Sequence, residues 1–329
     1  MKNSLLSVAE AGALIEDGQV LMIAGSEGAL SRLPRGRWIG GTTAYFMAAD
    51  GGVVETEQVF CTAIDEAAEV RIASYDADQL PGLVDPAFGA GFIGLLIPAF
   101  SDVHRAYAMN SMSYSGIFNQ PVAGWITGVL LSDLGKTTPK VFNGGTGEVL
   151  ADKAVALHVR LPADRTATLD IVNLFEQGDG DTIVFTKSGF EGTDCLVNGA
   201  ACNFARYVTD KAIDTQLPII ANYAGAMINV SIQSVDREAG VVKFYAPVVD
   251  GVSYRFARPV ADYVDTFTQK AGHGGRGEFS CNCILNFLYA GLEGKKTGDY
   301  WGPITFGEIA YILLNQTLVR LKIGAADSR

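Results

Sequence analysis

The sequence is poor in histidine, in positive charge and in long apolar runs, and each shortage narrows what the protein can do. The three histidines, His104, His158 and His273, are scattered along the chain and cannot supply a dense metal-ligand set by themselves. Lys and Arg number 25 against 36 Asp and Glu, a net charge of -11. A surface with that balance repels phosphates, so no nucleic-acid partner is expected unless a local basic patch outweighs the total. The densest basic cluster, Arg32, Arg35 and Arg37, reads as a solvated loop or a carboxylate clamp. The most apolar run, Phe88 to Phe100, is too short to cross a bilayer and reads as a buried strand, so no membrane partner is expected either. There is no G-x-S-x-G, H-E-x-x-H, EF-hand loop or P-loop, and neither glycine cluster has Rossmann spacing. The five cysteines, Cys61, Cys195, Cys202, Cys281 and Cys283, form an odd set without C-x-x-C spacing, which fits reduced thiols. Glu10 and Glu16 fall where an export signal needs an apolar core, so a cytoplasmic location is expected.

What is present is a chain of 329 residues, 48% hydrophobic with 38 glycines, long enough for two domains of many short strands. Strand patterns fall at Val20 to Ala24, Trp38 to Phe46, Glu57 to Thr62, Val70 to Tyr75, Phe92 to Pro98, Val122 to Leu131 and Ala154 to Leu161. Ser7 followed by Glu10 marks a capping box opening a helix through Ile15, and Ser101 to Met112 reads as a Ser-capped helix. After Pro162 the order begins again, with strands at Ala167 to Leu174, Thr182 to Thr186, Ile228 to Gln233, Val241 to Ala246 and Tyr254 to Ala257. Helices are expected near Ala200 to Ala212 and at Val260 to Lys270. The expected fold is α/β (α+β): two pseudo-related halves, 1–165 and 166–329, of mostly antiparallel or mixed sheets packed with helices, hinged near Pro162 to Thr166. A Trp-Gly-Thr echo between Trp38 to Tyr45 and Trp301 to Glu308 suggests that the halves bring Trp38 and Trp301 together around one cleft.

Candidate chemistry concentrates in Trp301 to Arg320, where a glycine turn, a lone Glu308 and Asn315-Gln316-Thr317 stand in apolar surroundings. Burying a carboxylate is costly unless it is hydrogen-bonded, so Glu308 is a site candidate. Cys281 and Cys283, at i and i+2 on one strand face, suit packing better than catalysis, although with His273 they could form a metal site or a Cys-His pair. The run Gly272 to Gly277 joins flexible backbone to Arg276, which suits an anion or a ligand carboxylate as well as a plain loop. Asn143 to Gly147 reads as a hairpin turn. A Glu308 carboxylate beside Trp301, Thr305, Tyr311 and Asn315 could hold a ligand amine while Arg276 or Arg37 holds a carboxylate, as a free amino acid requires. The competing readings are an enzyme centred on Cys281 and Glu308, and an interaction scaffold.

The phrase Trp301 to Arg320 resembles the closing segment of the FIST (F-box and intracellular signal transduction) family of sensory domains. Gly40-Gly41-Thr42-Thr43 resembles that family's Gly-x-Thr-Thr phrase, and Val141 to Val159 resembles its turn followed by an Asp-x-Ala-Val-Ala strand. Glu278-Phe279-Ser280-Cys281 resembles its Phe-Ser-Cys strand. Asn282-Cys283 departs from the family's Gly-Arg continuation, and Thr43-Ala44-Tyr45 from its Ala-Gly-Glu. The resemblance implies a divergent member with N- and C-terminal FIST domains that binds a small molecule and signals through a separate protein or its own homo-oligomer. The ligand contacts it suggests are Trp38, Thr42, Thr43, Arg276, Cys281, Trp301, Glu308 and Asn315. Some proteins resembling this family are described as haem sensors, so haem is admitted as a cofactor, with one histidine as axial ligand.

Overall fold

The structure, a computed structural model, describes residues 1–223, 225–271 and 277–326. His273 and Arg276 lie outside the described residues. Sheets dominate, with 44% strand against 16% helix, and the fold is α+β.

Local signals explain many of the elements. Ser7 caps the helix Val8–Glu16 with a complete capping box: its hydroxyl accepts from Glu10 N, and the Glu10 carboxylate accepts from Ser7 N. Asn143 Oδ1 accepts from the backbone N–H of Gly145 and Thr146, closing the turn between Val141–Asn143 and Glu148–Leu150.

The chain divides into two compact units that are not sequential halves. The first comprises Met1–Val172, Phe267–Leu313 and Thr317–Arg329; the second comprises Asn173–Thr266 and Leu314–Gln316. The C-terminal return has a plain cause. Leu318–Ala325 pairs along one edge with the whole of Arg165–Val172 and along the other with Phe279–Cys283, so hydrogen bonding ties the end of the chain to strands on either side of the second unit in sequence.

Three six-stranded sheets make up most of the first unit, and each contains a parallel pair. The pairs are Leu21–Gly25 with Trp38–Thr42, Gly91–Pro98 with Val122–Thr127, and Phe279–Cys283 with Gly302–Thr305. Parallel neighbours need a crossover. Here each first strand is followed, after no more than three residues, by a helix, Glu27–Leu30, Asp102–Asn110 and Ile284–Tyr289 respectively. Trp38 to Phe46, expected as one strand, is two: Trp38–Thr42 and Tyr45–Ala48 belong to different sheets. The chain switches at Thr43, whose hydroxyl donates to Ile304 O at 2.7 Å, while Tyr45 pairs with Ile304. The two echo phrases therefore meet backbone to backbone within one unit.

The second unit is built on a six-stranded antiparallel sheet and a three-stranded one. Its core is aromatic: Phe185 lies 5.0–5.7 Å, centroid to centroid, from Phe204, Phe244 and Tyr254. The helix expected from Ala200 begins only at Phe204, because Ala200–Asn203 pairs with Asp194–Val197 and Asn203 caps the helix by accepting from Arg206 N. Likewise Val122 to Leu131 stops as a strand at Thr127, and Ile228 to Gln233 is two strands, Ala226–Val230 and Ile232–Asp236.

Candidate functional site

Glu308 opens the short strand Glu308–Ala310, which pairs antiparallel with Val122–Thr127. It stands directly opposite Trp125, so the two side chains leave the same face of the sheet, and Thr127, two residues on, shares that face. Phe279, from the strand Phe279–Cys283, stacks on Trp125 at 6.0 Å. Glu308 is wholly buried. Its Oε2 accepts from Thr317 Oγ1 at 2.7 Å and from Thr317 N at 3.2 Å, and the Cys283 thiol also hydrogen-bonds to the carboxyl. Glu308 Oε1, Trp125 Nε1 and Thr127 Oγ1 find no hydrogen-bond partner among the described residues.

Burial drives the Glu308 pKa up to about 8, against the pull of the Thr317 and Cys283 hydrogen bonds. The group is therefore mainly a neutral acid at pH 7. The Cys281 thiol is equally buried; desolvation, and then the nearby carboxyl, holds its pKa well above the ordinary thiol value, and Sγ donates to Gly124 O at 3.2 Å. A thiol held protonated is neither nucleophile nor metal ligand, so this arrangement packs and hydrogen-bonds.

The Gly40-Gly41-Thr42-Thr43 phrase closes against the same face. A Cβ on Gly41 would lie 2.6 Å from Thr127 Cγ2 and 2.8 Å from Trp125 Nε1, so only glycine lets the backbone come this close. Thr42 Oγ1 accepts from Lys140 N at 2.9 Å and donates to Lys140 O at 3.3 Å, so both threonine hydroxyls are engaged with backbone. Trp301 presents its carbonyl to Ser280 Oγ and Asn3 Nδ2. Asn315 is not part of this cluster: it belongs to the second unit, where its carbonyl accepts from Asn229 Nδ2 and its own Nδ2 donates to Leu314 O.

Trp38 supports a different feature. Its indole N–H donates to Pro34 O, and its ring stacks on Phe142 and lies against Gly144, where a Cβ would meet the indole at 2.5 Å. The turn held in this way walls an open cleft of about 460 Å³, lined by Arg37, Glu69, Asn143, Gly145 and Thr146 among others. The cleft thus carries a cation and an anion. Arg37 Nη1 donates to Gly18 O at 3.3 Å, and Glu69 pairs with Arg160 at 2.9 Å, both partly solvent-exposed. Sequence reasoning named Arg37 and the turn but missed Glu69, Trp125 and Thr127. Nothing local distinguishes Glu69 from other strand-end carboxylates.

His104 and His158 are buried, and desolvation lowers each pKa to about 4, so both are neutral at pH 7. His158 Nε2 is 2.9 Å from Tyr75 Oη. Neutral imidazole can ligate a metal, but no group of three or more His, Cys, Asp or Glu among the described residues is placed to hold an ion, and neither histidine lines the cleft. No curated protein matches the chain. A family model does match, over residues 6–324, and the chain belongs to that family, DUF6976, a family of unknown function.

Proposed function

We propose that the protein is a cytoplasmic, small-molecule-binding sensory protein of the kind its resemblance to FIST domains implies. The ligand is a small zwitterion, such as a free amino acid, held in the cleft at Arg37 and Glu69. Output passes to a separate signalling partner or to a second copy of the chain. The observation that carries this reading is the presence of a guanidinium, Arg37, and a carboxylate, Glu69, on the walls of one cleft of about 460 Å³, beside a turn that is fixed by Trp38. The guanidinium can grip a carboxylate in two places, and the carboxylate can take an ammonium. The signal available to a partner is limited by the ligand's preference for one conformation over another.

Native mass spectrometry of freshly purified protein, followed by titration with individual amino acids, tests the proposal. A retained or added amino acid should raise the melting temperature, and Arg37→Ala and Glu69→Gln should each abolish that rise while leaving the ligand-free protein folded. If no amino acid shifts the melting temperature, or if the shift survives both substitutions, the reading fails. A second reading, the interaction scaffold, is favoured by Phe100, Met112 and Phe118, which are 60%, 56% and 57% exposed. It predicts concentration-dependent self-association in sedimentation velocity that Phe118→Ser weakens, independent of any amino acid.

A further inference from the structure

Of the five cysteines, only Cys195 and Cys202 face each other across a pair of strands. They are directly opposed in the hairpin Asp194–Val197 with Ala200–Asn203, in the second unit. The register is pinned at the turn: Asn198 and Gly199 both have positive φ, 50° and 84°, as a two-residue type I′ turn requires. The Asn198 side chain fastens the turn further, donating to Asp181 Oδ1 at 2.7 Å and accepting from Thr182 N at 2.9 Å. Slippage would carry both cysteines out of register, and these bonds oppose it. Both thiols leave the same face of the hairpin. Cys195 is buried in the aromatic core, and Cys202 packs half-exposed at the margin of that core.

We propose that Cys195 and Cys202 form a reversible dithiol–disulfide site whose reactant is a small-molecule disulfide such as oxidised glutathione. Cys195 and Cys202 form a hydrogen-bonded pair of the hairpin, whose Cβ atoms stand about 5.5 Å apart, and bridged cysteines need about 3.5–4.5 Å, so closure asks for a shift of roughly 1–2 Å. Ala200–Asn203 is the edge strand of its sheet, bonded on one side only, and can make that shift. The roles follow from exposure. The half-exposed Cys202 loses its proton to solvent and attacks one sulfur of the glutathione disulfide. This forms a mixed disulfide and releases one glutathione thiolate, which takes up a proton. Cys195 then gives up its proton and attacks the Cys202 sulfur, forming the protein bridge and expelling the second glutathione. Two protein thiols are oxidised by two electrons, and one disulfide is reduced to two thiols. Burial holds the Cys195 pKa up to about 12, which makes it a poor nucleophile towards a disulfide in solution; it can attack second because the register holds the Cys202 mixed disulfide directly opposite it, where proximity offsets the small thiolate fraction. Cys61, Cys281 and Cys283 are buried and have no cysteine opposite them.

The consequence falls on the helix Phe204–Asp210. Asn203, next to Cys202, caps that helix and donates through Nδ2 to Gly240 O and Thr193 O. A bridge at 202 therefore tethers the helix start as well as the strand.

The full-length protein is incubated with oxidised glutathione and followed by intact-mass analysis and non-reducing peptide mapping. The expected result is loss of two hydrogens, a Cys195–Cys202 cross-link, full reversal by dithiothreitol, and slower amide exchange at residues 200–206 in the oxidised form. Cys195→Ser should stop at one glutathione adduct on Cys202, whereas Cys202→Ser should react at least tenfold more slowly. The proposal is overturned if wild-type protein accumulates the Cys202 adduct without closing, if both single variants react alike, or if the cross-link joins other cysteines. Near-native circular dichroism of both serine variants guards against misfolding as the cause of any loss, and the wild-type mapping decides the matter even if one variant does not fold.

Discussion

The two units satisfy their buried polar side chains to different degrees. In the second, Asn173 and Asn229 exchange amide hydrogen bonds at 2.9 and 3.0 Å, Asn229 also donates to Asn315 O, Asn173 Nδ2 reaches Met227 O, and Ser231 Oγ donates to Gln316 Oε1 at 2.7 Å. Asn315 Oδ1 alone in that group finds no partner among the described residues, whereas in the first unit the face that holds Glu308 keeps three such polar atoms. An unpartnered buried polar atom costs about 1–3 kcal/mol, whereas a satisfied network specifies one packing. The difference separates a region that nearly completes its hydrogen bonds from one carrying a polar cost that its packing does not require.

The largest effect that would break this comparison is at Asn229. Asn229→Leu fills the space but removes both amide bonds to Asn173, which keeps only Met227 O and Phe175 N, and takes from the Asn315 carbonyl its Asn229 donor, and should cost roughly 3 kcal/mol in urea denaturation. A loss below about 1 kcal/mol would mean that the network stabilises no more than the unsatisfied cluster does, and the contrast would disappear.

Next in size is the pH dependence. Glu308 has a folded pKa raised above its unfolded value, so its stabilisation is fully present below pH 4.5 and is lost as pH rises towards about 8. His104 and His158 have depressed folded pKa values, so the stability they contribute is present above pH 6.5 and lost as pH falls towards about 4. Between these limits each proton contributes a slope of about 1.4 kcal/mol per pH unit. Two rising slopes and one falling slope below pH 6.5, then one falling slope above it, place maximum stability near pH 6.5. Melting temperatures from pH 4 to 9 should peak there. A flat alkaline limb would show that Glu308 is ionised in the folded protein at neutral pH. Glu308→Gln, which resembles the neutral acid in shape and hydrogen bonding, should flatten that limb and cost about 1 kcal/mol or less at pH 6.

How much of this was legible in the sequence follows the range of each cause. The capping box at Ser7 and Glu10 and the turn at Asn143 are short-range and could be read directly. The break at Thr43 could not: both sides are apolar, and what splits the strand is the Ile304 carbonyl, supplied from the far end of the chain. The start of the helix at Phe204 was hidden because Ala200 and Ala201 favour helix, and cross-strand pairing overrode that preference. Glu308 stood out as a lone carboxylate in an apolar run. Its neighbours did not, because Trp125 and Thr127 look like ordinary strand residues until register sets them beside it. The placing of Asn315 with Asn229 was equally invisible, since Asn315 and Thr317 are two residues apart yet belong to different units.

The smallest effect tests the one well-made bond in the unsatisfied cluster. Thr317→Val keeps the backbone N–H that reaches Glu308 Oε2 at 3.2 Å and removes the hydroxyl that reaches it at 2.7 Å. The expected cost is about 1 kcal/mol, the usual net value of one buried hydrogen bond. That hydroxyl is the strongest of the interactions lowering the Glu308 pKa, so its loss should also move the alkaline limb of the stability curve to higher pH. The two effects can be separated by a double-mutant cycle with Glu308→Gln, measured at pH 6 and again at pH 9. At pH 6 the amide carbonyl replaces the acid as acceptor, so the coupling should be small. At pH 9 the wild-type carboxylate is charged and its bond to the hydroxyl is stronger, so the coupling should grow by about 0.5–1 kcal/mol. Equal coupling at the two pH values would mean that the carboxyl does not change its charge over this range, and the cluster would then owe its cost to geometry alone.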